Sequence, residues 1–271
     1  APTTRSVVVD NNPPTIAFSA FSEDTNGQYL YSSGNTMFFN SAAPGAAFVT
    51  TFTASDPGSG IARLDFPVLG TNWTPAVTTG DTTSPYTMLY AYTTSAVNPT
   101  GARNVTAFDN VGNSATASFY VVDDTTAPTG GSINTPPTIS NTAAVNITSV
   151  TSTDNVGGAG IGTSQIQRQT GTYANGSCSG YGGWTNVGPV NPASPWSDSA
   201  LLDGECYVYR LVVKDRVDNA VTYTDADEVR IDRTAPTGTI DPNPVGPSRA
   251  TVTVAGTASD TMSGVADVDV T

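Results

Sequence analysis

The chain has 271 residues, of which only 12% are charged, yet its formal net charge is −13. This acidic balance argues against nucleic-acid binding, which needs a basic patch. The sequence also contains no histidine, which removes the usual general base, the serine and cysteine triads and most catalytic zinc sites. We therefore expect a protein that is not an enzyme.

The composition is typical of strands and turns. Aspartate dominates the acidic residues, glutamate occurs only at Glu23, Glu205 and Glu228, and lysine occurs only at Lys214. Glu and Lys favour helix surfaces, whereas Asp favours turns, so we expect an all-β protein. No apolar run reaches the length that a bilayer demands, and we expect no membrane span.

One stretch of sequence recurs along the chain. Residues 108–128 read FDNVGNSATASFYVVDDTTAP, residues 214–236 read KDRVDNAVTYTDADEVRIDRTAP, and residues 7–14, VVVDNNPP, match the end of both. The matching residues Asp109 and Asp215 are about 106 residues apart, which is the length of one small β-sandwich domain. The repeat predicts tandem β-sandwich domains in a linear array.

The repeats set the predicted domain boundaries, taken in chain order. Residues 1–10 carry the last strand of a preceding or partner domain, and residues 11–124 form domain one. Residues 125–233 form domain two, and residues 234–271 form an incomplete third domain. Domain one has an insertion at residues 22–45, which we interpret as a hairpin because two aromatic segments flank Ser33-Gly34.

Apolar periodicity predicts the core strands. The alternation is clearest at Ala115, Ala117, Phe119 and Val121, which is typical of a half-buried strand. The predicted strands of domain one are residues 15–21, 47–54, 61–66, 86–94, 102–108 and 114–122. Those of domain two, after a short strand near Thr138, are residues 143–149, 162–168, 197–202, 206–214 and 220–231.

The incomplete ends have two interpretations. In the first, the chain is a window on a longer repeat protein, and its partners are adjacent domains. In the second, the strand within residues 1–10 completes the unfinished third domain of a neighbouring copy through main-chain hydrogen bonds to an open sheet edge.

Four segments carry a resemblance to a known family. They read ASDPGSGI at residues 54–61, FDNVGN at 108–113, VDDTTAPT at 122–129 and LLDGECYVYRLVVKDRVDN at 201–219. Together they resemble the tandem immunoglobulin-like repeats of very large secreted microbial surface proteins and adhesins. The resemblance implies immunoglobulin-like sandwiches with Greek-key connections, a secreted, extracellular or cell-surface location, a stalk or filament role and no catalytic residues. The hairpin of domain one departs from this pattern, which weighs against a pure spacer role.

The two cysteines are Cys178 and Cys206. In an immunoglobulin-like sandwich the end of the third strand lies beside the start of the sixth, so the resemblance implies a disulfide between them. Two free, half-buried thiols are the alternative. A bridge closing a loop of this length typically adds about 3 kcal/mol, and it fits an oxidising compartment.

Aspartate and asparagine collect at the turns and linkers, and they supply the oxygen ligands that calcium prefers. FDNVGN and VVDDTTAP lie at opposite ends of one strand, so Asp123 and Asp124 should find their partners in the following domain, at Asp154 or Asp215. Turn formation alone is the alternative explanation. The predicted ligands of calcium at domain junctions are Asp109, Asn110, Asn113, Asp123, Asp124, Asp154, Asp215 and Asp232, with Asp56 and Asp260 in equivalent loops.

Two further surface features have functional interpretations. A glycine-rich neighbourhood with aromatic residues would suit a sugar-stacking platform that binds cell-surface glycans, although tryptophan in such a fold is more often core. Asn72 and Asn175 are glycosylation candidates because their sequons lie in predicted loops. The platform residues are Trp73, Tyr173, Tyr181, Trp184 and Trp196.

Two functions agree with these patterns. The first is a non-catalytic extracellular structural and adhesive repeat protein that forms a stalk or filament, with calcium stiffening its domain junctions and strand complementation as a mode of assembly. The alternative is a carbohydrate-binding or spacer region of a large secreted enzyme. An exposed row of aromatic side chains would favour the alternative.

Overall fold

The computed structural model describes residues 9–241 and 253–269. Within these ranges the chain is almost entirely β-structure, and its one helical element is the short 3-10 turn Gly27–Tyr29. The residues form two compact units. Unit 1 holds the described part of Ala1–Thr129 with Thr153–Gly162 and Lys214–Ala220, and unit 2 holds Gly130–Ser152, Thr163–Val213 and the described part of Val221–Thr271.

Unit 1 is a sandwich of two sheets. One sheet has the order β1-β4-β8-β6 and the other has the order β2-β3-β10-β9-β5-β7. The strands are β1 Thr15–Thr25, β2 Leu30–Ser33, β3 Thr36–Phe39, β4 Gly45–Ser55, β5 Ile61–Phe66, β6 Trp73–Thr74, β7 Thr79–Asp81, β8 Tyr86–Thr93, β9 Arg103–Asp109 and β10 Ser114–Asp123.

Aromatic rings from both sheets fill the core of unit 1. On β4, Phe52 lies 5.9 Å from Phe66 of β5 and 6.2 Å from Phe119 of β10, measured between ring centroids. Tyr90 of β8 lies 5.7 Å from the same Phe119 ring. These rings are fully buried, so the alternation that predicted the β10 strand also predicted which of its residues face the opposite sheet.

The predicted insertion forms a hairpin of β2 and β3. The two strands pair in antiparallel register, and β3 also pairs with β10 in parallel register. Alternation places Leu30, Met37 and Phe39 in the core. It leaves Tyr31 and Phe38 on the outer face, where their rings stack at 6.0 Å. The insertion thus extends one sheet of the sandwich.

The strands in the remainder of the described chain belong mostly to unit 2. One sheet has the order β11-β13-β17, and a larger sheet has the order β12-β20-β18-β14-β15 with β16 on β14 and β19 on β18. Another pair, β21 and β22, forms a separate two-stranded sheet. The strands are β11 Ser132–Asn134, β12 Thr138–Ser140, β13 Val145–Val150, β14 Ile161–Ala174, β15 Ser177–Ser179, β16 Thr185–Val187, β17 Trp196–Asp198, β18 Glu205–Asp215, β19 Ala220–Thr224, β20 Val229–Ile231, β21 Thr237–Ile240 and β22 Gly256–Ser259.

A disulfide joins two strands of the larger sheet in unit 2. It links Cys178 of β15 to Cys206 of β18, with a Cα–Cα distance of 5.9 Å, which is within the ordinary range for such bridges. Cys206 is fully buried, so the bond ties the β14–β15 hairpin to a core strand. The predicted disulfide is confirmed.

Two predicted strands of domain two are shorter or broken in the structure. The strand predicted at residues 197–202 ends at Asp198, whose carboxylate turns toward Arg168. The strand predicted at residues 220–231 is divided into β19 and β20. The division occurs at Asp225, because its buried carboxylate accepts hydrogen bonds from the backbone and side chain of Thr135.

The described strands and sheets confirm the predicted fold class. The chain is all-β and consists of tandem immunoglobulin-like β-sandwich units. The strand predicted within residues 1–10 lies almost wholly outside the described residues, so its pairing stays a prediction.

Candidate cation sites

The turn between β9 and β10 is built around one buried carboxylate. Asp109 Oδ1 accepts hydrogen bonds from three backbone N–H groups, those of Val111 at 3.0 Å, Gly112 at 2.6 Å and Asn113 at 2.8 Å. Its Oδ2 accepts one from the Asn113 side chain at 2.7 Å. Burial acts to raise the pKa of Asp109, but these hydrogen bonds outweigh it and hold the pKa below its ordinary value.

The same turn recurs between β18 and β19. Asp215 Oδ1 accepts hydrogen bonds from the N–H groups of Val217 and Asn219, both at 2.9 Å, and Oδ2 accepts one from the Asn219 side chain at 2.7 Å. Here burial prevails, and together with the charge of Asp124 it raises the pKa of Asp215 despite these hydrogen bonds. A cation near Asp215 would relieve both causes of the shift.

Three carboxylates meet beside the first turn. Oxygen atoms of Asp10, Asp56 and Asp109 lie within 4.8 Å of one another. Asp10 Oδ2 accepts a hydrogen bond from the backbone of Ser59 at 2.7 Å, and Asp56 Oδ1 accepts three from the same loop. Asp56 Oδ2 is buried without a hydrogen-bond partner among the described residues. Because a buried oxygen without a partner is costly, this cluster has donor atoms that suit a cation.

Three carboxylates meet in the same way beside the second turn. Oxygen atoms of Asp124, Asp154 and Asp215 lie within 4.8 Å of one another, all in unit 1. Asp124 Oδ2 accepts a hydrogen bond from the backbone of Ala159 at 2.7 Å, and Asp154 Oδ2 accepts one from Gly160. Each cluster thus combines one aspartate from a linker, one from a loop after the second core strand and one from a turn.

The side chain of Asn155 lies at the edge of the second cluster. With its amide nitrogen toward the carboxylates, it donates to Asp154 Oδ1 at 2.9 Å and to Asp124 Oδ1 at 3.3 Å. The Asn155 amide therefore bridges two of the three carboxylates of the second cluster.

The turn asparagines hold the linkers in place. Asn113 Nδ2 donates to the carbonyl oxygen of Asp10 at 3.2 Å, and Asn219 Nδ2 donates to that of Asp124 at 2.9 Å. The same amide groups also bond Asp109 and Asp215. One asparagine in each turn therefore fixes a turn carboxylate and a linker backbone together.

Glycine is required where the linker aspartates lie against the loops. A Cβ atom at Gly158 would be 2.8 Å from Asp124 Oδ2 and 2.7 Å from Asp154 Oδ2, and one at Gly58 would be 2.6 Å from Asp10 Cγ. All three distances are shorter than real Cβ contacts allow, so any larger residue at Gly58 or Gly158 would displace a carboxylate. The close approach of loop and linker is built into the sequence.

A related pair of carboxylates lies in unit 2. Asp232 Oδ2 accepts a hydrogen bond from the backbone of Ser263 at 3.0 Å, as Asp10 and Asp124 do from their loops. Asp260 Oδ1 accepts hydrogen bonds from Met262 at 2.8 Å and Gly264 at 3.0 Å. Within residues 9–241 and 253–269, no third carboxylate completes this pair as a cluster.

The structure brings some of the predicted ligands together and separates others. Asp124, Asp154 and Asp215 meet as predicted, and Asp109 joins Asp56. Asp123 instead accepts two hydrogen bonds from Ser41, at 2.9 and 2.6 Å. The amide nitrogens of Asn110 and Asn113 donate to neighbouring oxygens, and Asp232 lies in the pair described above.

Sequence reasoning omitted Asp10 from the predicted ligands. It was assigned to the last strand of another domain, although the sequence held a signal for its role. Asp10, Asp124 and Asp232 each precede a proline by four residues, at Pro14, Pro128 and Pro236. Aligning the three linkers on that proline places Asp10 in the same position as Asp124.

Most of the predicted aromatic platform is used in packing. Trp73 and Tyr173 are buried, and Trp73 Nε1 donates to the carbonyl oxygen of Val97 at 2.9 Å. Trp184 has the guanidinium of Arg210 over its ring at 4.3 Å. Tyr181 donates its hydroxyl to Glu228 at 2.7 Å. The structure therefore offers no continuous row of free aromatic faces among these four residues.

Both glycosylation candidates lie in turns. Asn72 and Asn175 are exposed and have positive φ angles of 64° and 53°. The Asn72 side chain donates to the carbonyl oxygen of Ser95 at 3.0 Å, whereas Asn175 lies at the tip of the β14–β15 hairpin. Their modification stays a prediction.

Comparisons with known proteins give structural similarities at low sequence identity. No protein-family model matches the sequence, and no curated protein matches it. A crystal structure of titin domains is 11% identical with a TM-score of 0.40, over 81% of this chain and 65% of that chain. FN domains of chicken CNTN1 are 12% identical with a TM-score of 0.30, over 79% and 68%. A tetra-tandem repeat from the extending region of a large adhesion protein is 20% identical with a TM-score of 0.27, over 82% and 55%.

These similarities concern the fold alone. The chain spans about two thirds or less of the titin and adhesion-protein structures that it matches. In the described part of the chain, no helix is long and apolar enough to cross a membrane.

Proposed function

We propose that this chain is part of a non-catalytic extracellular repeat protein, a stalk or filament whose linkers are stiffened by calcium. The observation that carries the proposal is the recurrence of one three-aspartate arrangement. Asp10, Asp56 and Asp109 form it once, and the equivalent residues of the next repeat form it again. The two clusters are equivalent, and each is held by an asparagine at the same turn position and a glycine at the same loop position. This recurrence supports a role beyond turn formation.

Calcium would bind the first cluster through Asp10, Asp56 and Asp109 and the second through Asp124, Asp154 and Asp215. The ion would supply positive charge that neutralises the repulsion between the carboxylates. It would also coordinate carboxylate oxygens that lack other partners. Asp10 and Asp124 belong to linkers, whereas their cluster partners belong to the repeats that follow. Binding would therefore fix each linker to the next repeat and restrict bending there.

Several properties support an extracellular location. The Cys178–Cys206 disulfide is typical of an oxidising compartment. The millimolar calcium concentrations found outside cells match the weaker class of oxygen-rich sites in extracellular modules. The low content of lysine and the net charge of −13 favour solubility and oppose association with nucleic acid. The adhesion target, glycan binding and strand complementation stay predictions.

Thermal unfolding tests the role of calcium. We expect the melting temperature of the full chain in millimolar calcium to exceed that in excess chelator by about 10 °C. A site at 100 times its Kd would stabilise the folded state by about 2.7 kcal/mol, and about 1 kcal/mol shifts Tm by roughly 4 °C for a unit of this size. Calorimetry under both conditions gives the difference directly.

Two adjacent aspartates supply the matched variants for this test. Asp124→Asn should remove the part of the calcium-dependent shift that the second cluster supplies, whereas Asp123→Asn should preserve the whole shift because Asp123 bonds Ser41 outside the cluster. Identical melting curves with calcium and with chelator would contradict the proposal. So would an equal loss of the calcium effect in both variants.

A further inference from the structure

The β2–β3 hairpin of unit 1 contacts one particular turn, residues 215–219. The guanidinium of Arg216 lies over the Tyr31 ring, with its Cζ 4.4 Å from the ring centroid, and Arg216 also donates to the Tyr31 hydroxyl. Tyr31 faces outward from β2, stacked on Phe38. The outer face of the hairpin therefore presents a flat aromatic surface that a guanidinium can cover.

Asn40, immediately after β3, makes the second contact with the turn. It is buried, and its Nδ2 donates to the carbonyl oxygen of Val217 at 3.1 Å and to Asn219 Oδ1 at 2.9 Å. Asn40 is itself held, because its Oδ1 accepts a hydrogen bond from the backbone of Ala42 at 3.0 Å. The hairpin thus contacts the side chain at the second turn position, Arg216, and the backbone at the third turn position, Val217.

The equivalent turn of the first repeat has a different sequence. It reads Asp-Asn-Val-Gly-Asn at residues 109–113, whereas residues 215–219 read Asp-Arg-Val-Asp-Asn. Both turns share the same internal hydrogen bonds, so they have the same local fold and differ in the side chains that they offer to a neighbouring hairpin.

We propose that the β2–β3 hairpin is a docking element specific for an arginine-bearing turn of the repeat that follows the first one. Its partner is a turn of the form Asp-Arg-x-x-Asn, in which the arginine stacks on Tyr31 and the backbone binds Asn40. A turn of the form Asp-Asn-x-x-Asn keeps the carboxylate and the asparagine of the cluster but offers no group for the aromatic surface. The same turn carries Asp215 of the proposed second calcium cluster, so the docking is tested without calcium.

The test converts one natural turn of this chain into the other. Arg216→Asn combined with Asp218→Gly gives residues 215–219 the sequence of residues 109–113. That sequence already forms the same turn in the first repeat, so the variant is expected to fold. Amide hydrogen exchange of the full chain is measured by mass spectrometry in excess chelator. We expect exchange in β2, β3 and residues 215–219 to become about two- to fivefold faster, with the rest of unit 1 unchanged.

Further variants separate recognition from general stability. Tyr31→Phe keeps the ring and should retain most of the protection, whereas Arg216→Lys loses the planar group and should lose part of it. Asn40→Ala combined with Arg216→Asn should accelerate exchange in the hairpin further. As a control, Arg63→Asn removes a guanidinium that lies 4.3 Å from the Phe108 ring centroid, elsewhere in unit 1, and should leave the hairpin unchanged.

Two results would overturn the proposal. One is unchanged exchange in the hairpin after conversion of the turn. The other is an acceleration of exchange spread evenly over unit 1, because the turn would then stabilise the unit as a whole and not through a specific contact with the hairpin.

Discussion

Replacing Arg168 with methionine is expected to lower the stability of unit 2 by about 3–5 kcal/mol, the cost typical of leaving one partner of a buried ion pair alone. Arg168 Nη1 lies 2.7 Å from Asp198 Oδ2, and the two side chains are only 18% and 5% exposed. Tyr209 donates its hydroxyl to the same carboxylate oxygen at 3.0 Å. Arg168→Met would leave the Asp198 charge in the core with a neutral hydroxyl as its main partner.

The measurement is amide hydrogen exchange of the slowest amides of β14 and β18. Arg230→Met is the matched control in the same unit, because the Arg230–Glu228 pair has side chains 36% and 28% exposed and such exposed pairs contribute less than about 1 kcal/mol. Adding Asp198→Asn to Arg168→Met should restore part of the loss, since it removes the unpaired charge. Equal effects of Arg168→Met and Arg230→Met would contradict the stabilising role of the buried pair.

Removing the disulfide is expected to cost about 3 kcal/mol and to lower the melting temperature of unit 2 by roughly 10 °C or more. The cysteines are 28 residues apart, and their bond restricts the unfolded chain over that loop. The double variant Cys178→Ala with Cys206→Ala avoids placing a polar hydroxyl at the buried position of Cys206. Calorimetry of the full chain measures the shift.

Reductant supplies the control for this variant. It should lower the melting temperature of the unmodified protein but leave that of the double variant unchanged. Alkylation without reductant should add no mass to the unmodified protein. Labelling of both cysteines, or melting that reductant does not affect, would contradict the bond.

Periodicity predicted the parts of the fold that depend on local sequence. Phe119 and Val121 alternate with polar residues along β10, and the structure buries both. The division between β19 and β20 was not predictable, because Asp225 turns inward to Thr135, a partner 90 residues away in the sequence. Nothing near Asp225 in the sequence indicates that partner.

Internal repetition predicted more of the candidate site than any single motif did. Asp124, Asp154 and Asp215 meet because the linker, the loop and the turn recur in the same order in successive repeats. Local sequence could not distinguish Asp123 from Asp124, since adjacent strand residues face opposite sides and only the tertiary fold decides which side holds the cluster. Asp123 instead faces Ser41, 82 residues away.

The role of the hairpin insertion illustrates the same division. Its existence followed from two aromatic segments around Ser33-Gly34, and the structure confirms the pairing of β2 with β3. Its contact with Arg216 joins residues 185 positions apart. Sequence periodicity predicts strands but not contacts between residues so far apart in the sequence. The contact of the insertion with Arg216 could therefore be identified only from the folded chain.

Native mass spectrometry of the full chain with calcium added tests most directly whether the two clusters of three aspartates bind calcium. We expect two specifically bound ions per chain, one lost in Asp109→Asn and one lost in Asp215→Asn, while Asp123→Asn retains both. A chain that binds no calcium beyond the nonspecific background, or the same number of ions in all three variants, would contradict the claim.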